Sequence, residues 1–270
     1  MTTNDDSNLI STPGGFRPRS MTHAMPPGHI IRHVQQKVLA VSPEGRPILT
    51  LALTKADAAF QVESGWVCYT AWTNDSGNPI TSFSTTWTVP PEPSVPGDQT
   101  IYLFNGIQNQ GDVYGVFQPV LQWGISAAGG GAYWAIASWY YLSNGHAFYS
   151  NVVRVNPGDV LTGVMTQTGA SGGTFNYQSE FTGFPDTVLP VENVAELTWC
   201  NETLEVYWLR ECGNYPATPS TQMTNIAIVA GSTPPRMSWT PNSRLKQCGE
   251  HIVVVNDGPV NGRVDIFYSK

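Results

Sequence analysis

The sequence predicts an all-β protein, a sandwich of antiparallel sheets carrying an N-terminal extension. Three observations predict it. Short apolar or alternating segments recur at roughly 10–15-residue spacing, the pattern of a strand-rich fold. The chain holds 26 Gly and 21 Pro, which suits many turns and few long helices. Between the apolar segments no stretch carries a sustained helical period, so sheet-on-sheet packing is expected and βαβ units are not. With 270 residues, a single large β domain is long enough to bury a core.

Residues 1–32 have little apolar periodicity and read as a flexible segment; residues 33–270 read as one sandwich domain. HVQQKVLAVSPEGRPILTLAL, residues 33–53, predicts two short strands around a turn at Pro43–Gly45, and TKADAAFQVESG, residues 54–65, a helical turn or two. SFSTTWTV (82–89) alternates and stops at Pro90 and Pro91; TIYLFNGI (100–107) follows a turn. VFQPVLQWGI (116–125) ends in a glycine-rich hairpin, and AYWAIASWYYL (132–142) breaks at Ser143, Asn144 and Gly145. HAFYSNVVRV (146–155), DVLTGVMTQT (159–168), GTFNYQSEF (173–181), TLEVYWL (203–209), MTNIAIVA (223–230), HIVVVN (251–256) and RVDIFYS (263–269) complete the strands.

Only 12% of residues are charged and the net charge is −7. Four Lys and nine Arg do not make the cationic surface that nucleic acid or an anionic membrane needs. No apolar run is long enough for a transmembrane helix, and the N-terminus has no basic region followed by an apolar one. As given, the chain is expected inside the cell; a removed leader would make it secreted. Cys68, Cys200, Cys212 and Cys248 include no C-x-x-C pair, so a zinc ribbon is not expected. Cys200 and Cys212 flank a strand and would close a small loop under oxidising conditions; otherwise all four stay thiols. GASGG (169–173) fits G-x-S-x-G but joins two strands, where the nucleophile elbow needs a helix. HIIRH (29–33) lacks the glutamate of zincin chemistry. No cofactor and no metal are expected.

Side-chain alternation sorts the strand faces. In 116–125, Phe117, Leu121 and Trp123 share a core face; Gln118, Val120, Gln122 and Gly124 share the other, with a bulge or sheet edge expected at Pro119. In 203–209, Leu204, Val206 and Trp208 take the core face; Glu205, Tyr207 and Leu209 face away. Tyr133, Trp139 and Tyr141 share one parity, Trp134 and Tyr140 the other. Rings of the first set would stack on sugars or flat ligands if they lined a groove, or pack between sheets if they did not.

Several segments, in order, resemble the glutamic peptidases (eqolisins): SGWVCYTAW (64–72), FSTTWTVPPEP (83–93), YLFNGIQ (102–108), VLQWGI (120–125), AYWAIASWYY (132–141), VNPGDVLTGVMT (155–166) and CNETLEVYWL (200–209). The resemblance spans about residues 64–230. It implies a concanavalin A-like sandwich of two bent antiparallel sheets, with Gln122 and Glu205 as the catalytic pair in a concave groove. Trp123, Gln108 and Val206 depart from the family pattern. Glu196 is the second candidate for the acid and Glu202 the third.

Amide hydrolysis needs an activated water, a stabilised oxyanion and a proton for the leaving nitrogen. A glutamate with a pKa near the working pH can move the protons, which points to activity in acid unless burial raises that value. A glutamine can donate to the oxyanion without titrating, a contribution of roughly 3–4 kcal/mol. Trp66, Gln118, Trp139, Tyr141 and Tyr207 are the expected substrate-binding residues, for a peptide or small molecule. The alternatives are a carbohydrate- or peptide-binding protein without catalysis, and an intracellular small-molecule enzyme using the same groove.

Overall fold

Strands make up nearly all the regular structure of the computed structural model, which describes residues 8–55, 65–111, 114–244 and 247–269. In chain order they are β1 (Leu9–Thr12), β2 (Gly15–Pro18), β3 (Thr22–Ala24), β4 (Ile30–Val34), β5 (Lys37–Val41), β6 (Pro47–Ala52) and β7 (Trp66–Thr73). There follow β8 (Ile80–Thr88), β9 (Thr100–Gln108), β10 (Gly115–Ser126), β11 (Gly129–Leu142), β12 (Ala147–Tyr149), β13 (Val153–Arg154) and β14 (Val160–Ser171). The last are β15 (Thr174–Phe181), β16 (Phe184–Val194), β17 (Trp199–Tyr207), β18 (Ser220–Ala230), β19 (Thr240–Ser243), β20 (His251–Asn256) and β21 (Gly262–Phe267). Among the described residues there is no α-helix, and no helix long and apolar enough to cross a membrane.

One sheet runs β19-β7-β17-β9-β10-β11-β12-β3, with β13 also on β11; the other runs β20-β21-β18-β8-β14-β15-β16-β4-β5-β6. Neighbours are antiparallel except β3 on β12 and β4 on β16. Both exceptions fasten the segment before residue 33, where the sequence suggests a flexible terminus. Its strands are short, at three to five residues each, so their order comes from pairing with distant edges, which local periodicity does not show. Between β4 and β5 the chain turns at Gln35, which has φ 54°; residues 33–53 therefore hold parts of three strands and not two. Residues 56–64, the bulk of the expected helical turn, lie outside the described residues.

The main core fills the space between the sheets with Phe83, Trp87, Leu103, Phe117, Leu121, Trp123, Trp134 and Tyr140, among others. Trp87 is 1% exposed and meets Phe181 edge-on at 5.7 Å. Trp87→Ala is expected to cost about 3–5 kcal/mol, read as a lower urea midpoint. A second cluster, Trp66, Tyr102, Phe104, Val120, Trp139 and Tyr141, lies on the other side of the β7-β17-β9-β10-β11 sheet. The face assignment for 116–125 therefore holds. Two details differ. Pro119 sits inside the central strand β10, and the register shift comes at Trp123/Gly124. Trp208 does not reach the core: φ of 55° turns it out of β17, and it is 55% exposed.

The disulfide joins Cys212 to Cys248. Cys200 faces the core as a buried thiol, as does Cys68, so the loop that Cys200 and Cys212 would have closed does not form.

Candidate active site

The outer face of the β7-β17-β9-β10 region is organised in rows across the strands. Glu205 of β17 stands opposite Trp66 of β7 on one side and Tyr102 of β9 on the other. Tyr102 in turn stands opposite Gln122 of β10, and Gln122 opposite Ala135 of β11. Directly paired residues project to the same face, so Glu205 and Gln122 flank Tyr102 on one surface, two strand spacings apart, or roughly 10 Å between backbones.

Glu205 is fully buried. Its Oε1 accepts from the Gly14 N–H at 2.7 Å and from the Tyr207 hydroxyl. Burial pushes its carboxyl up to about 8; the Tyr207 and Gly14 donors, the Arg17 charge and the neighbouring Trp66 indole pull the other way and are outweighed. Oε2 and the Trp66 indole N–H are both buried and satisfy no strict hydrogen-bond geometry, although the indole is near enough to favour the carboxylate. The side chain is thus in its protonated form through the acid range while it is covered this way.

Gln122 is equally buried, and its amide is engaged locally. Nε2 donates to Gly129 O at 2.9 Å and Gly124 O at 3.3 Å; Oε1 accepts from the Ser126 hydroxyl at 2.8 Å. The amide shapes the β10–β11 hairpin, where a Cβ on Gly130 would come within 2.3 Å of Gly124 O and 2.4 Å of Gln122 Nε2. Gly130 also has φ 106°, so glycine alone fits there.

Four residues back along β10, Gln118 is 1% exposed and neither end of its amide has a partner among the described residues. It pairs with Trp139 of β11, whose indole N–H is also unpartnered. Asn201 of β17 faces the same way, opposite Gly106 of β9. A Cβ on Gly106 would lie 2.9 Å from the Asn201 amide, whose Nδ2 again lacks a partner. Trp139 and Tyr141 stack on each other at 5.8 Å and are completely covered. Tyr207 packs edge-on against Phe16 at 5.0 Å and Tyr102 at 6.4 Å.

All seven sequence-derived residues thus lie on the outer face: Gln122, Glu205, Trp66, Gln118, Trp139, Tyr141 and Tyr207. Glu202, the third candidate acid, does not. Glu202 projects into the space between the sheets and accepts from the Thr85 hydroxyl; burial raises its carboxyl pKa strongly. Glu196 precedes β17. Sequence reasoning missed Tyr102, Asn201 and Ser126. Alternation from Glu205 back along β17 would have found Asn201. Among the described residues no group of three or more His, Cys, Asp or Glu side chains is arranged to hold a metal ion.

No known protein family matches the chain, and no curated protein does. Solved structures do. A scytalido-glutamic peptidase with a peptide-based transition-state analogue is 14% identical, covering 75% of this chain and 98% of that one with a TM-score of 0.45. A member of the eqolisin family of peptidases, in complex with the tripeptide Ala-Ile-His, is 15% identical over 76% and 98%, TM-score 0.41. An alginate lyase in complex with an alginate trisaccharide is 10% identical over 88% and 85%, TM-score 0.29. At these identities the likeness is one of fold alone.

Proposed function

We propose that the protein hydrolyses peptide bonds, with Glu205 moving the protons and Gln122 holding the oxyanion. The observation that carries this reading is the shared row: a buried carboxyl and a buried carboxamide on one face, on either side of Tyr102. Glu205, as carboxylate, takes a proton from water; the hydroxide adds to the peptide carbonyl; Glu205 then returns that proton to the nitrogen as the C–N bond breaks. Gln122 supplies an N–H to the oxyanion by giving up its longer contact, to Gly124 O. The unpartnered Gln118, Asn201 and Trp139 groups supply donors and an acceptor for peptide amides farther along the face.

The test is cleavage of a denatured protein and of a quenched fluorescent peptide from pH 3 to 9; no cleavage at any pH in either the full chain or a form with its N-terminal hairpin displaced would end the proposal. Gln118→Ala is expected to raise KM roughly three- to tenfold with kcat retained, the signature of lost uniform binding; an equal loss in kcat would remove Gln118 from the binding set. A sugar-binding reading has less support: Trp139 and Tyr141 stack on each other, which takes up a face of each ring.

A further inference from the structure

We infer that the hairpin Leu9–Pro18 is a built-in peptide ligand of the Glu205 face, holding that face shut until it is displaced. The inference rests on the reading of Glu205 as the centre of the site.

The hairpin pairs only with itself and belongs to neither large sheet. It lies instead over the outer face, and its contacts surround the proposed catalytic carboxyl. The Gly14 N–H donates to Glu205. The Ser11 and Tyr102 hydroxyls share a hydrogen bond of 2.9 Å. Ser11 O accepts from the Ala127 N–H at 2.9 Å, across the β10–β11 hairpin that Gln122 braces. Phe16 packs on Tyr207 and, at 4.7 Å, on Trp208. That last contact gives Trp208 a partner, although the indole stays 55% exposed.

Apart from Ile10 and Pro13, what the hairpin buries is polar side chain or glycine backbone. Ser11, Thr12 and Arg17 are 3%, 0% and 2% exposed. Arg17 donates to Gly14 O at 2.6 Å and Phe16 O at 2.9 Å, and Glu205, Tyr141, Tyr207 and Tyr114 lie close enough to act on its charge. A hairpin kept only for stability would bury apolar side chains. This one presents backbone and polar groups to a face that holds unpartnered polar groups, as a bound peptide does.

The contact with Glu205 is unproductive. Oε1 already takes two donors, Gly14 and Tyr207, and Oε2 is buried without a partner, so neither oxygen is open to water while the hairpin is seated. Gly14 reaches it with φ 114°, a backbone that an L side chain does not adopt without strain. The chain is re-anchored directly afterwards: β3 pairs with β12, and the His23 and His146 rings meet at 3.0 Å. A tether this short keeps the ligand at high effective concentration.

The test separates binding from catalysis. Ile10→Asp with Phe16→Asp, and independently Gly14→Val, are made in the full chain. Neither alters a residue proposed to bind or cleave. Hydrogen exchange of residues 9–18 reports release. A synthetic peptide of residues 8–19 is titrated into parent and variants by calorimetry, and cleavage of a short quenched peptide is measured alongside. In a released variant, the synthetic peptide is expected to bind at least tenfold tighter than to the parent, and kcat/KM to rise at least tenfold. Binding without cleavage at any pH would keep the ligand inference and remove the peptidase reading. Equal affinity for the peptide in parent and released variant would overturn the inference, as would Glu205-dependent cleavage at equal rates in both. A hairpin that stays protected from exchange in both variants would also overturn it, since it would then be a fixed part of the fold.

Discussion

Glu205→Gln is expected to lower kcat/KM for a peptide substrate by about 10²–10⁴-fold, the usual contribution of a positioned acid–base group. The substitution keeps size and shape. The new Oε1 still accepts from Gly14 and Tyr207, so the row and the overlying hairpin keep their geometry; only the ability to take up and return a proton is lost. The control is Glu202→Gln, three residues before Glu205 and so of opposite parity, pointing into the core toward Thr85. It is expected to leave kcat unchanged. Steady-state kinetics on the two variants, with near-ultraviolet dichroism to confirm folding, settle the assignment. Equal loss in both, or none in Glu205→Gln, would remove Glu205 from the chemistry.

The second large effect concerns stability and pH. A carboxyl pushed up to about 8 in the folded chain, from an ordinary 4.5, holds its proton where the unfolded chain has released it. Between those values the folded state binds more protons, so unfolding free energy falls as pH rises. The contribution is fully present below pH 4.5 and is lost as pH approaches 8, a change on the order of 5 kcal/mol at about 1.4 kcal/mol per pH unit. Glu202 acts in the same sense, since burial raises its pKa as well. Urea unfolding at pH 4.5 and pH 8 is expected to show the parent markedly less stable at the higher pH. Glu205→Gln, which cannot ionise, is expected to lose most of its share of that slope, and the double variant with Glu202→Gln more still. An undiminished slope in Glu205→Gln would mean the carboxyl is ionised in the folded chain at neutral pH.

Much of the site was legible because β10 and β17 are regular over the residues concerned. Period-two alternation put Gln118 and Gln122 opposite Phe117 and Leu121, and Glu205 opposite Leu204, and the strands keep those faces. Alternation fails where a backbone angle breaks the strand, as at Trp208 and Gln35. It is also silent about which distant strand lies alongside. Tyr102 is part of the row only because β9 lies between β17 and β10. The N-terminal hairpin was illegible for a related reason. Its residues are polar and rich in turn formers, and what orders them is a surface presented by residues more than 90 positions later.

That dependence on later residues fixes an order of assembly. Gly14 and Glu205 are 191 residues apart, and His23 and His146 are 123 apart. In a growing chain the first strands have nothing to dock on until most of the protein has left the ribosome. β17 faces the same delay, because it must insert between β7 and β9, which therefore cannot complete their sheet before it arrives. Such non-local pairing is slow to form and leaves unpaired edges exposed meanwhile. The nascent protein consequently passes through a long interval as a half-built sheet, most in need of a chaperone just before its earliest-made residues find their place.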